Sequence, residues 1–212
     1  MTTGPLRDFD KVAASWDDKP QRRILASAVA TGIATDVQLH RELQALEYGC
    51  GTGLCGLQLS AEIGQLTAVD TSSGMLEELK KKCQVLGLEN VTPVLISPDS
   101  WTLPAGAFDL VFSSMVLHHI AETQTLLKHF LQALKPGGVL AIADLEREDG
   151  TFHDDSTGIA HHGFDLQELA TILERLGFII LKKRTVHTIL KQHGDEETAY
   201  PVFLMTAKKP RR

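Results

Sequence analysis

The sequence has few cysteines, and their number and spacing limit the kind of protein it can be. There are three, Cys50, Cys55 and Cys83, in 212 residues. An odd number cannot all be paired within one chain, and the spacing matches no zinc-binding pattern. We therefore expect free, buried thiols in a reducing cytoplasm rather than a disulfide framework.

Long apolar runs and an excess of positive charge are also missing. No segment approaches the roughly 20 apolar residues that a membrane span needs, and residues 1–18 lack the basic start and apolar stretch of a secretory signal. A total of 21 Lys and Arg against 27 Asp and Glu gives a net charge of -6, which disfavours binding to a polyphosphate backbone. The sequence thus predicts neither a membrane nor a nucleic acid as partner, and it leaves the oligomeric state open.

Strands and helices alternate along most of the chain, whose length fits one domain spanning residues 1–212 because domains commonly hold on the order of 100 to 200 residues. A helix is predicted from Pro20 to Ala34. The apolar segments after it lack the polar alternation of a half-exposed sheet, which indicates a doubly wound α/β fold with a parallel sheet covered on both faces. We predict strands at residues 43–48, 66–69, 91–96, 108–112 and 139–143, and helices at 54–63, 74–86 and 122–134.

The pattern changes after Asp144. Residues 145–164 are rich in His, Asp and Gly and separate the preceding strand from a helix that begins near Asp165. Loops longer than about 12 to 15 residues are usually functional, so we expect this loop to line the binding site of a substrate. Residues 178–186 and 200–207 are predicted as two closing strands, which can pair antiparallel because no strong helical stripe lies between them.

The strongest motif lies between the first predicted strand and its helix, where residues 47–53 read E-Y-G-C-G-T-G. Glycines there let the backbone approach a ligand, and free amides at a helix start favour a carboxylate or phosphate. Asp70 ends the second strand, where an acidic side chain can accept hydrogen bonds from both hydroxyls of a ribose. The ligand is therefore expected to contain a nucleoside. Because residues 51–56 also fit the dinucleotide pattern G-x-G-x-x-G, the loop by itself does not choose between cofactors.

Five blocks in order resemble the class I, Rossmann-like S-adenosylmethionine-dependent methyltransferases. Residues 47–53 are similar to the family motif E-x-G-x-G-x-G, and V-D-T-S-S-G-M-L at 69–76 is similar to its second-strand signature. Residues 108–120, which include the His-His pair, resemble the fourth strand and the segment after it, and L-K-P-G-G at 134–138 resembles the next turn. Residues 9–17 are similar to the N-terminal F-D-x-x-A-x-x-Y-D lid, with Trp16 in place of the tyrosine.

The resemblance implies a mostly parallel seven-stranded sheet with an antiparallel last strand, helices on both faces, and residues 1–35 as a lid and helix. It implies S-adenosylmethionine as methyl donor and S-adenosylhomocysteine as product. Asp99 matches the acidic position near the adenine amino group, although Pro98 and Ser100 stand where Gly and Ala are commoner. The cofactor contacts that it implies are Glu47 to the methionine ammonium, the amides of the loop to the methionine carboxylate, Asp70 to the ribose and Met75 to adenine, with the full set being Trp16, Glu47, Gly49, Cys50, Gly51, Gly53, Asp70, Thr71, Met75, Asp99, Ser100 and Ser114.

Five of the nine histidines flank the crevice that is expected at the carboxyl ends of the strands, namely His118, His119, His153, His161 and His162. A general base is needed only if the acceptor must lose its proton during attack, and we predict His119 and His162 for that role. The alternative is that His118 or His119 caps the strand and that the others are solvated. Adjacent histidines lack the i, i+4 geometry of a helical metal site, so we predict no metal.

These patterns favour an enzyme that transfers a methyl group to a small-molecule acceptor, whose identity the sequence does not reveal. Two alternatives stay open. One is an NAD-dependent oxidoreductase, because the glycine loop is ambiguous. The other is a regulatory protein that binds S-adenosylmethionine without catalysis, since a fold does not determine a function.

Overall fold

The computed structural model of the chain describes residues 8–97 and 102–211. Within them a single sheet contains seven strands, arranged in the order β3-β2-β1-β4-β5-β7-β6. The strands are β1 Gln44–Tyr48, β2 Gln65–Asp70, β3 Val91–Leu95, β4 Phe108–Ser114, β5 Leu134–Leu145, β6 Ile179–His193 and β7 Glu196–Lys208. The helices are α1 Pro20–Asp36, α2 Gly56–Leu59, α3 Ser73–Leu86, α4 Thr123–Ala133 and α5 Leu166–Leu176, with 3-10 helices at Asp10–Asp18 and Leu117–His119.

The direction of the strands confirms the predicted topology. The first five strands pair in parallel, and β7 is antiparallel to both of its neighbours, β5 and β6. Because β1 connects outward to β2 while β4 lies on its other side, the strand order reverses at β1, and this is where doubly wound folds bind ligands.

Helices cover both faces of the sheet, because alternate strand residues point to opposite sides. In β4, Leu110 and Phe112 pack in one core with α1 and α3. Their neighbour Val111 packs in the second core, with α4 and α5. All three side chains are fully buried, as expected for a strand in the middle of a two-sided sheet.

Several element boundaries differ from the sequence prediction. The helix predicted at 54–63 is only four residues long, and the Ser60 hydroxyl bonds to the Leu57 carbonyl at its end, which competes with continuation of the helix. The turn predicted at Pro136-Gly137-Gly138 lies inside β5. There the partners jump from Phe108–Leu134 to Leu110–Val139, so a bulge accommodates the extra residues while both ends remain paired.

The last two strands are longer than predicted and form a hairpin with Gly194 in its turn, at a φ of 65°. The carboxyl end of β5, Leu145, pairs with Val202. Residues 196–201 and their partners in β6 therefore extend beyond the carboxyl edge of β5. This extension brings Ile189 to Gln192 to the same edge of the sheet as the glycine loop.

Candidate functional site

A cleft of about 1440 Å³ lies at the carboxyl edge of the parallel strands. One end is formed by the loops after β1 and β2, and the other by residues 152–158 and the extension of the hairpin. The 3-10 helix Asp10–Asp18 and the start of α1 form a further wall. The cleft thus has room for a nucleoside ligand at one end and a second small molecule at the other.

The glycine loop adopts a backbone conformation that only glycine tolerates well. Gly49, Gly51 and Gly53 have φ values of 70°, 52° and 80°. A Cβ on Gly49 would lie 2.4 Å from Cγ2 of Val116, and one on Gly53 would lie 2.5 Å from Cδ1 of Leu79. Gly49 and Gly51 line the cleft, whereas Gly53 lies outside its lining and lets the loop pack on α3.

The first three amides of this loop have acceptors within the protein, whereas the sequence analysis expected free amides. Gly49 and Cys50 donate to the Val69 carbonyl, and Gly51 donates to Oδ2 of Asp70 at 2.7 Å. The reason is that the loop folds back on the end of β2, where buried acceptors need donors. The binding of a carboxylate by the remaining amides of this loop stays a prediction.

Glu47 is a buried carboxyl group with one unpartnered oxygen. Its side chain is 2% exposed, Oε1 accepts from the Gly56 amide at 3.2 Å, and Oε2 has no hydrogen-bond partner among the described residues. Burial, assisted by the charge of Asp70, raises the pKa of Glu47 to about 8. Gly56 is needed beside it, because a Cβ there would lie 2.1 Å from Oε2.

Asp70 lies at the end of β2, on the cleft. Its carboxylate accepts from the amides of Gly51 and Ser72, at 2.7 and 2.9 Å. Burial raises its pKa, and these amide bonds partly offset the effect. Each carboxylate oxygen has a second lone pair for a donor from the cleft, so the site can still bind two hydroxyl groups.

The structure brings most of the predicted cofactor residues together. Gly53 is not part of the cleft lining. Asp99 and Ser100 belong to residues 98–101, which lie outside the described residues. Met75 is 2% exposed and is fixed by the bond from its amide to the Ser72 hydroxyl, which caps α3. Those that line the cleft are Trp16, Glu47, Gly49, Cys50, Gly51, Asp70, Thr71, Met75 and Ser114.

The N-terminal segment is held against both the glycine loop and α3. Asp17 accepts from the Thr52 hydroxyl at 2.6 Å and is paired with Lys82. Asp10 accepts from the Ser72 hydroxyl and the Gly74 amide, at 2.5 and 2.8 Å. These bonds lower the pKa of Asp10 and hold the segment over the end of the cleft that the glycine loop forms.

The two histidines predicted as catalytic residues have different positions. His119 lines the cleft, and its Nδ1 is 2.8 Å from the Gly158 carbonyl. His162 is outside the lining, with a side chain that is 55% exposed and paired with Glu148 at 3.3 Å. Its chain neighbours close the base of the long loop, where the Glu148 amide bonds to the His162 carbonyl. The prediction for His162 therefore does not agree with its position.

A buried pair that the sequence analysis did not select lies between these histidines and the sheet. His118 lines the cleft and is 2% exposed, and its Nδ1 is 2.7 Å from Oδ1 of the fully buried Asp144. Asp144 follows an apolar run near the carboxyl end of its strand, as Asp70 does at the end of β2, and this was the signal that could have found it. Within the described parts of the chain, no group of three or more His, Cys, Asp or Glu side chains could hold a metal ion.

The loop 145–164 is tied down at several points. The amides of Ala160 and His161 donate to the His118 carbonyl, at 2.8 and 3.0 Å. On the other side, Lys191 of the hairpin bonds to the Phe152 carbonyl and to Asp154, and the hydroxyls of Thr151 and Tyr200 are 2.5 Å apart. The far wall of the cleft is thus preformed. In residues 8–97 and 102–211 no helix has the length and apolarity to cross a bilayer.

Comparisons with known proteins match this architecture. A family model described as a methyltransferase domain matches residues 45–138. An uncharacterized methyltransferase of Schizosaccharomyces pombe is 30% identical over 135 residues, which cover 57% of this chain and 48% of that protein. The aklanonic acid methyltransferase of a Streptomyces strain is 28% identical over 112 residues, which cover 51% of each. The chain thus matches about half the length of these relatives.

A solved structure has the same fold along nearly the whole chain. It is a SAM-dependent methyltransferase from Aquifex aeolicus, with a TM-score of 0.70 and 22% identity over 95% of this chain and 98% of that one. At this identity the likeness concerns the fold. Together with the family match, it confirms the resemblance and the fold class predicted from the sequence blocks.

Proposed function

Because the chain is a member of the class I S-adenosylmethionine-dependent methyltransferases, we propose that it transfers the methyl group of S-adenosylmethionine to a small-molecule acceptor. The observation that supports this most directly is the position of Asp70, which ends β2 beside the glycine loop and faces the cleft. A carboxylate in that position can accept from both ribose hydroxyls. The remaining length of the cleft, lined by residues 152–158 and 189–192, would hold the acceptor.

The unpartnered oxygen of Glu47 supports the placement of the methionine end. A buried acceptor without a donor costs free energy, and an ammonium group would provide both a donor and a positive charge. Ionised Glu47 would then be favoured, so that binding at neutral pH would release a proton. In this arrangement Trp16 lines the cleft near the cofactor, with its ring stacked 3.5 Å from the Arg22 guanidinium.

Bound S-adenosylmethionine supplies an electrophilic methyl group on a sulfonium. The protein needs to align an acceptor in line with the breaking bond and to exclude water. The anchored loop and the hairpin supply a fixed wall for that alignment, because Lys191 connects them through Phe152 and Asp154. The residues of the glycine loop hold the donor on the opposite side.

Calorimetric titration with S-adenosylhomocysteine and, separately, with NAD tests this proposal. We expect micromolar affinity for the first, about -8 kcal/mol, and no heat from the second. Heat from NAD alone would replace the methyltransferase proposal with the oxidoreductase alternative. Repeating the titration in two buffers of different ionisation enthalpy at pH 7 measures the proton released from Glu47.

A second prediction concerns Lys82, which pairs with Asp17 and also donates to the Thr52 carbonyl at 2.8 Å. Lys82→Gln removes an ion pair and a hydrogen bond that hold the N-terminal segment on the glycine loop. We expect the affinity for S-adenosylhomocysteine to fall by about 3- to 10-fold, as measured by calorimetry. Lys81→Gln is the matched control, since Lys81 pairs with Glu78 on the outer surface of α3. Equal affinities of the two variants would exclude a role for this contact in binding.

A further inference from the structure

The His118–Asp144 pair lies where two neighbouring parallel strands end. Asp144 is the penultimate residue of β5 and His118 follows β4, so both side chains lie at the carboxyl edge of the sheet. Both are almost completely buried, at 2% and 0% exposure. Since burial of such a pair removes two polar groups from water at considerable cost, its presence at a ligand cleft calls for a chemical explanation.

Asp144 is held in one orientation. Its Oδ1 accepts from the Leu145 amide at 2.7 Å as well as from Nδ1 of His118, and its Oδ2 accepts from the His118 amide at 3.2 Å. A carboxylate can only accept, so the proton of a neutral His118 is on Nδ1. Nε2 then carries the lone pair, and it is the ring nitrogen through which His118 can meet a group in the cleft.

We propose that His118 is a catalytic base oriented by Asp144, and that the acceptor presents a weakly acidic hydroxyl such as a phenol or an enol. The long loop contacts His118 through its backbone carbonyl and through the ring of His153, and neither contact requires the hydrogen bond between Nδ1 of His118 and the buried Asp144. The titratable groups that face His118 are Asp144 from β5, His119 beside it and His153 from the loop, with ring centroids at 4.1 and 5.0 Å for the two histidines. Asp144 also stabilises the imidazolium that proton transfer creates.

The acceptor class follows from which groups need a base during attack. A carboxylate is already ionised, a thiol with a pKa of about 8.5 ionises more readily than a phenol, and an aromatic amine such as aniline is neutral, attacks with its lone pair and loses its proton afterwards. A phenol, with a pKa of about 10, is mostly protonated at neutral pH. In the step, the O–H proton moves to Nε2 while oxygen bonds to the methyl carbon. The C–S bond breaks with its electron pair going to sulfur, and His118 then releases the proton to solvent.

This inference rests on the proposed function, and the first experiment tells the two apart. The full chain, labelled with ¹⁵N-histidine, is saturated with S-adenosylhomocysteine and the tautomer of His118 is determined by NMR. We expect the Nδ1–H tautomer with a bare Nε2, and a shift towards Nε2–H in Asp144→Asn. An Nε2–H tautomer in the wild type, with S-adenosylhomocysteine bound, would overturn the role of His118 as a base and leave the proposed function intact. Failure of S-adenosylhomocysteine to bind would overturn the proposed function instead.

The second experiment measures S-adenosylhomocysteine formation at pH 8 with phenol and with 4-nitrophenol, which is largely ionised at that pH. For His118→Asn we expect a loss of about 10²- to 10⁴-fold with phenol and a much smaller loss with 4-nitrophenol, because an ionised acceptor needs no base. His40→Asn, on the exposed loop before β1, serves as the control. Equal losses with both phenols would contradict the proposal. So would methylation of aniline or thiophenol by a wild type that methylates neither phenol. If His118→Asn does not fold, the tautomer of His118 in the wild type tests the proposal.

Discussion

Replacement of Glu47 by glutamine is expected to raise the free energy of unfolding by up to about 5 kcal/mol at pH 9 and to change it little at pH 4. The carboxyl group is buried, and its pKa in the folded protein is about 8 against an ordinary value of 4.5. Below pH 4.5 the group is protonated in both states and there is no penalty. As pH rises from 4.5 to 8, the unfolded chain ionises while the folded one resists, so the wild type loses stability until the folded group ionises too. Glutamine has the same shape without the charge and escapes this loss.

Urea unfolding of both proteins at pH 5, 7 and 9 measures the effect. Glu62→Gln, at an exposed position just after α2, is a control for the loss of one negative charge and should behave like the wild type at each pH. A constant difference between Glu47→Gln and the wild type from pH 5 to pH 9 would mean that Glu47 is not held in its neutral form by burial. The same variant should release no proton when S-adenosylhomocysteine binds.

Asp70→Ala is expected to weaken the binding of S-adenosylhomocysteine by about 10- to 150-fold, or roughly 1.5 to 3 kcal/mol for hydrogen bonds to a charged group. The reason is the proposed loss of the acceptor for two ribose hydroxyls. The substitution also removes the partner of the Gly51 and Ser72 amides, which loosens the glycine loop on its ligand side. Calorimetric titration of the folded variant provides the affinity.

The chain offers a matched control at the opposite edge of the sheet. Asp109 also accepts from a backbone amide, that of Gln44 at 2.9 Å, and it pairs with Lys135. It lies at the start of β4, far from the carboxyl ends of the strands. Asp109→Ala should therefore destabilise the fold to a similar extent without changing the affinity for S-adenosylhomocysteine. If both variants bind as the wild type does, Asp70 does not hold the ribose.

Several features of the site could be predicted because they depend on residues close together in the sequence. The turn after β1 needs positive φ values at Gly49, Gly51 and Gly53, and glycine supplies them locally. The two-sided sheet follows from continuous apolar strands such as β4, whose neighbouring residues are buried on opposite faces. For the same reason, Asp70 at the end of an apolar strand could be placed at the ligand edge.

Other features depend on partners that are distant along the chain. The carboxyl of Asp70 uses the Gly51 amide that the motif leaves free, and a bulge against Phe108 keeps Pro136 inside a strand. The periodicity of the sequence reveals neither the hydrogen bond nor the bulge, because each depends on a residue that comes close only in the folded protein.

The histidines also show which features follow from local sequence and which depend on distant partners. Composition and the His-His motif indicated that imidazoles would gather at the cleft, but not which one has a buried carboxylate behind it. His118 acquires Asp144 only because β4 and β5 are adjacent, and His162 is directed outward only because its backbone closes the base of a loop. The sequence by itself determined the fold class and the glycine-loop end of the cleft, since local backbone and burial preferences encode them. The tertiary structure decided the opposite end of the cleft, since its groups come from separate segments that meet only when the sheet forms.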